Sequence, residues 1–191
     1  MALTTVRSTG IGSLPAISGA NLTSLNASNI SSGTLNSARF SGGKVLQVVE
    51  NRLTTVLSTT STSWVATTGL NASITPSSSS NKVLILLNAT LSSGNHGHIR
   101  LSRDGGSNFI GNGAQSGSRS GVNFYANVDA NSARPQSCTI FDSPSTTSAL
   151  TYQAYWRVYG GTTYLNRTQN DNDSAYGSRG VSSITLLEVE G

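Results

Sequence analysis

Cysteine occurs once, at Cys138, so the 191-residue chain has no intrachain disulfide and lies outside the small secreted scaffolds held by several bridges. Flanked by Thr139, Ile140 and Phe141, this thiol is expected to pack as a small apolar group. Charge is scarce too: 10% of residues are ionic, and the net +4 arises from ten arginines and two lysines scattered singly against eight acids. Nucleic-acid binding calls for clustered basic residues, and no such run exists, so no nucleic-acid partner is expected. No stretch approaches an apolar membrane span, and MALTTVRSTGIGSLP has no apolar signal core. That predicts a product made in the cytosol, without membrane insertion.

Catalytic signatures are missing as well. Glycoside hydrolysis needs two carboxylates a defined distance apart, whereas Asp104 falls in a tight turn, Asp129 and Asp142 end strands, and Glu188 and Glu190 close the chain. There is no serine elbow, no phosphate loop and no histidine beside Cys138, so the chain is not expected to be an enzyme. Asp171-Asn172-Asp173 starts like a calcium loop, but Ala175 and Tyr176 stand where an oxygen ligand and a glycine belong. A solvated polar loop is predicted there. Seven Asn-x-Ser/Thr triplets carry no weight in a chain so rich in these residues and without a secretory signal.

What is present begins with a period. In ISGANLTSLNASNISSGTLNSARFSGG, Leu25, Ile30, Leu35 and Phe40 recur every five residues, each preceded two positions earlier by Thr23, Ser28, Gly33 or Ala38. A helix needs apolar spacings of three and four and a half-buried strand needs two, so five implies a repeating bend with Asn, Ser and Gly at its turns. About one coil's worth of repeat cannot close a core by itself. Left in water, the row would forfeit roughly 1.5 to 3 kcal/mol per large side chain. Copies of the same segment around a common axis would cover it, which predicts a trimeric shaft over residues 17–43 and a homotrimer as the assembly. A flexible Ser/Asn-rich linker with accidental periodicity is the competing reading. Before the shaft, Leu3, Val6, Ile11 and Leu14 are the apolar handles of residues 1–16, read as a peptide that orders on docking to another protein.

From Lys44 onward the pattern is all-β. Strands are predicted over Lys44–Val49, Thr54–Ser58, Trp64–Thr75 and Lys82–Thr90, the last containing VLILL and read as buried on both faces. His98–Arg103 and Asn108–Ile110 flank Asp104-Gly105-Gly106 as a tight hairpin. Val122–Val128 and Ser137–Asp142 follow. Leu150–Tyr159 is the clearest half-buried strand, with Tyr152, Ala154, Trp156 and Val158 on one face. Thr162–Arg167 is expected to pair with it across Gly160-Gly161, and Val181–Val189 to lie centrally in its sheet. Strands without βαβ alternation predict a jelly-roll-like antiparallel β-sandwich over residues 44–191.

Candidate sites lie on its surface. His96 and His98, at i and i+2 of an extended segment, face one way and make a possible chelate for iron or another transition metal on a threefold axis; ordinary loop residues are the alternative. Gln153, Tyr155, Arg157 and Tyr159, with Tyr164, Arg167 and Tyr176 near in sequence, suit either a sugar ligand or a subunit interface. The polar loops 111–121, 130–136 and 168–180 are the expected recognition loops, with Arg119, Arg134, Tyr176 and Arg179 as contact residues.

The strings LNASNISSGTLNSARFSGGKVLQVV, SITPSSSSNKVLILLNATL, FDSPSTTSALTYQAYW and SSITLLEVEG resemble a widespread group of small tailed-phage virion proteins, mostly tail-fibre or virion structural proteins. The resemblance runs from about residue 17 to the end. It implies a trimeric fibre with a distal β-sandwich head touching host surface; in the virion such a fibre is expected to attach through its N-terminus to another virion protein, with a surface glycan as the expected receptor. A capsid decoration or head-fibre protein of the same architecture, and a free sugar-binding lectin, remain open beside it.

Overall fold

The computed structural model describes residues 43–175 and 177–191. The pentad residues Leu25, Ile30, Leu35 and Phe40, the docking residues Leu3, Val6, Ile11 and Leu14, and Tyr176 lie outside the described residues. Within them the chain is all-β, with no helix. Its strands are β1 (Val45–Leu53), β2 (Leu57–Thr59), β3 (Val65–Ile74), β4 (Lys82–Ser93), β5 (Gly97–Ser102), β6 (Phe109–Ile110), β7 (Phe124–Ala126), β8 (Arg134–Asp142), β9 (Leu150–Val158), β10 (Thr163–Leu165) and β11 (Ser182–Val189).

Two antiparallel sheets share these strands, as expected for a β-sandwich. The first runs β1-β11-β4-β10-β2, with β8 on the other flank of β4. β11 and β10 follow one another along β4: Ser183–Val189 pairs with Asn88–Lys82, and Thr163–Leu165 with Ser93–Leu91. The second runs β3-β9-β5-β6, with β7 also on β5. β11 is thus central, as its apolar sequence predicts. The expected pairing of residues 162–167 with β9 does not occur. Both flanks of β9 are already occupied, by β3 and β5, so β10 crosses to the first sheet instead.

Period-two alternation decides the core. Val83, Ile85, Leu87, Ala89 and Leu91 of β4 meet Tyr152, Ala154 and Trp156 of β9, Ile99 and Leu101 of β5, and Ile184 and Leu186 of β11. VLILL is therefore not buried on both faces. Leu84 and Leu86 are half-buried and face outward, because in a two-layer sandwich each sheet has one inner face. Cys138 is half-buried against the core, and burial pushes its thiol up to about 11. The sheets approach closely at Gly97, where an added Cβ would lie 2.5 Å from Thr163 Oγ1 and 3.0 Å from Ser93 Cβ; Thr163 Oγ1 donates to Ser93 Oγ at 2.9 Å.

The outward face of the first sheet carries an apolar row in register. Val48 pairs with Leu187, Leu187 with Leu84, and Leu84 with Phe141, across β1, β11, β4 and β8. Its end members are the most open, Val48 at 59% and Phe141 at 60% exposure, with Val45 and Leu46 also exposed beside them.

Candidate ligand-binding groove

The outward face of the second sheet has a different chemistry, produced by the same alternation. Along β5, Ile99 and Leu101 point inward, leaving His98 and Arg100 outside; along β9, Ala154, Trp156 and Val158 point inward, leaving Tyr155 and Arg157 outside. Register then sets Tyr125, His98 and Arg157 in one row across β7, β5 and β9, and Arg100 beside Tyr155 in another. Trp64, just before β3, stacks into this surface: the Arg100 guanidinium lies 4.5 Å from its ring centre and that of Arg157 4.9 Å. Phe109 of β6 sits 5.5 Å from Trp64 and meets Tyr155 edge-on at 5.6 Å.

The loop of residues 111–121 folds back onto this surface. Arg100 Nε donates to Gly121 O, and Arg157 Nη2 to Ser120 Oγ. Ser116 and Arg119 exchange backbone hydrogen bonds of 3.1 and 3.0 Å around Gly117, whose φ of 56° suits glycine. Between the loop and the sheet opens a groove of about 820 Å³, with His96, His98, Arg119, Tyr125, Arg157 and Tyr159 in its lining. Tyr125 and Tyr159 are 58% and 77% exposed and meet His98 and His96 edge-on, each at 6.4 Å.

Its charge is of one sign. No carboxylate lines the groove, and among the described residues Arg100, Arg119 and Arg157 enter none of the ion pairs. Burial, and then the charges of Arg157, His96 and Arg100, hold the His98 imidazole below its ordinary value. Burial, followed by Arg157, also lowers Arg100. His98 Nδ1 is buried without a hydrogen-bond partner. The geometry offers ring faces, directional donors and positive potential in one concavity, the arrangement of a site for a polar ligand bearing negative charge.

The structure brings together His96, His98 and Arg119 with Arg157 and Tyr159, all named from the sequence. Within one chain the histidine pair has no further His, Cys, Asp or Glu beside it among the described residues, so a metal site there would need ligands from other copies, and it would lie beside the positive charges of Arg157 and Arg100. Arg134 and Arg179 are elsewhere. Arg134 begins β8, opposite Leu91, and so is not a loop residue; β8 starts earlier than the polar loop 130–136 suggested, because β4 offers a pairing partner up to Leu91. Arg179 bonds Asp171 at 2.7 Å, and Asp171 also takes Arg167 at 2.7 Å, making a loop clasp. The guanidinium of Arg167 lies 4.1 Å from the ring centre of Tyr164, which belongs to the first sheet. Loops 130–136 and 168–180 do meet, through Asn170 N to Ala130 O and Asn170 Nδ2 to Asn131 Oδ1. Gln153 is structural: its amide donates to Thr67 O and Leu70 O, bridging the register shift of β3.

Sequence reasoning missed Trp64, Arg100, Phe109 and Tyr125. The alternation His98, Ile99, Arg100, Leu101 was a usable signal for Arg100. Compared with known proteins, the chain matches no protein-family model and no curated protein.

Proposed function

We propose that the protein is a bacteriophage virion structural protein, a short trimeric tail fibre. In this reading residues 1–16 dock on another virion protein and residues 17–43 form the three-stranded shaft. Residues 44–191 form a jelly-roll head that binds a host-surface glycan without covalent chemistry. The strand order β1-β11-β4-β8 over β3-β9-β5 with β6 and β7, the chain passing back and forth between sheets, supports the jelly-roll assignment. The observation that carries the function is the contrast between the two outward faces. One sheet presents Val48, Leu187, Leu84 and Phe141 in register, a surface suited to burial against another copy; the other presents a ring-and-guanidinium groove suited to a soluble or surface-bound sugar. Three identical weak sites on one trimer gain strength through multivalency.

The test is a density map of the assembled particle together with an adsorption assay. The expected result is a threefold fibre on the tail, and soluble protein that competes with particle adsorption to the host. A threefold object on the capsid that leaves adsorption untouched would replace the fibre with a decoration role, and absence from the particle would remove both.

A further inference from the structure

The groove is more specific than a sugar-stacking surface requires. Stacking alone needs ring faces, and Tyr125 and Tyr159, the most exposed aromatic residues at the groove, provide them. A neutral sugar would give the guanidinium groups only uncharged hydrogen-bond acceptors, although they stand in a cavity with no carboxylate in its lining. Elsewhere on this head three of the five arginines pair with acids, Arg103 with Asp142 and Arg167 and Arg179 with Asp171, while Arg52 and Arg134 enter no ion pair among the described residues. The groove arginines have none, and Arg100 and Arg157 are held against the Trp64 ring and the loop at residues 120–121, so their positions are set before any ligand arrives.

We propose that the groove seats an acidic saccharide, its anionic substituent facing Arg119, Arg157 and His98 and its ring faces lying on Tyr125 and Tyr159. This deepens the reading of the head as a receptor-binding module and rests on it. A metal ion is disfavoured by the same positive field. The volume, about 820 Å³, takes an oligosaccharide segment rather than a free inorganic ion. The negative group is a carboxylate or a phosphate substituent, two sources of one chemistry. Arginine pairs with either through parallel hydrogen bonds.

The experiment uses the full chain on an array of bacterial surface polysaccharides, each printed in native and carboxyl-reduced form, with phosphodiester-bearing polymers alongside. Binding to acidic polymers is expected, falling at least about tenfold on carboxyl reduction, and falling with added salt. Arg119→Ala and Tyr159→Ala, both at exposed positions, are each expected to weaken it about tenfold while leaving the oligomer and the melting temperature unchanged. Binding only to phosphodiester polymers, with the same sensitivity to both variants, supports the anionic site and names phosphate as its group. Equal binding of native and reduced polymers overturns the inference but leaves a neutral-sugar receptor head standing, provided Tyr159→Ala still weakens it. Binding that neither variant changes overturns the assignment to this groove. Binding to nothing on the array overturns both the inference and the glycan-receptor reading.

Discussion

Glu188 occupies a position that its residue type rarely takes: it is 1% exposed, on the inner side of β11. Burial on its own would raise its carboxyl, but hydrogen bonds from Gln47 Nε2, Asn81 Nδ2 and the side chain and backbone N–H of Ser77 outweigh this and carry it down to about 2. A carboxylate whose folded value lies below its unfolded value of 4.5 contributes stability that is fully present above that pH. The contribution is lost as pH falls from about 4.5 toward 2, and amounts to something on the order of 3 kcal/mol. Thermal unfolding of the wild type is therefore expected to show a melting temperature that drops across this window. Glu188→Gln, which sets an amide donor against the donors of Gln47 and Asn81, should melt lower at neutral pH and lose most of that acid-side slope. A variant with an unchanged slope would assign the acid sensitivity to another group, the next candidate being Asp104, whose carboxyl is held down to about 2 by hydrogen bonds from Asn108 and Ser102. The inward placement of Glu188 was legible, since Ile184, Leu186 and Glu188 share one parity of the strand. Its partners were not, because Ser77, Asn81 and Gln47 come from segments 107 to 141 residues away.

At the scale of elements, legibility followed how much of the pairing information was local. β9 was readable because alternation of Tyr152, Ala154, Trp156 and Val158 with polar residues is a property of one strand, and the β5–β6 hairpin because Asp104-Gly105-Gly106 dictates its own turn. β10 was misread because adjacency in sequence favours a hairpin, and only the prior occupation of both β9 flanks forbids it. The groove was half legible: Arg157, Tyr159 and the two histidines stood out by composition, whereas Trp64 and Tyr125 reach it by pairing between distant strands. The apolar row across β1, β11, β4 and β8 is likewise a product of register, since each of its four residues comes from a different strand. It yields a test belonging to this scale. Val48→Ser with Phe141→Ser removes its two exposed ends and touches none of the residues that fill the core. The double variant is expected to keep the wild-type circular dichroism spectrum and melt cooperatively, while sedimentation shows subunit association weakened by at least about tenfold. Unchanged association would place the subunit contact on another face.

For the whole molecule, the proposed trimer raises the question of what would hold three copies together when the head surface is so poor in charge and its exposed apolar row so short. Fully covering a Val, Leu or Phe side chain is worth roughly 1.5 to 3 kcal/mol, and of the four residues in the row Leu84 and Leu187 are already half-buried, so one head contact gains only several kcal/mol. Association costs about 4 to 15 kcal/mol in lost freedom and ordering. Heads alone are therefore expected to associate weakly. In the proposed trimer a second apolar row in the same chain would change the balance, because once one row had brought the copies together the other would close as an intramolecular step at high effective concentration. Leu25, Ile30, Leu35 and Phe40 are that second row. Ser41–Gly191 is a compact unit with its own core, so a chain starting at Ser41 is expected to fold and bind ligand singly, yet to sediment as a monomer at micromolar concentration, where the intact chain sediments as a trimer. Replacing Ile30 and Leu35 by Ser in the intact chain should reproduce the truncation. An intact chain that sediments as a lone subunit would refute the trimeric assembly, and a truncated chain that trimerises as tightly as the whole would assign all of the association energy to the head.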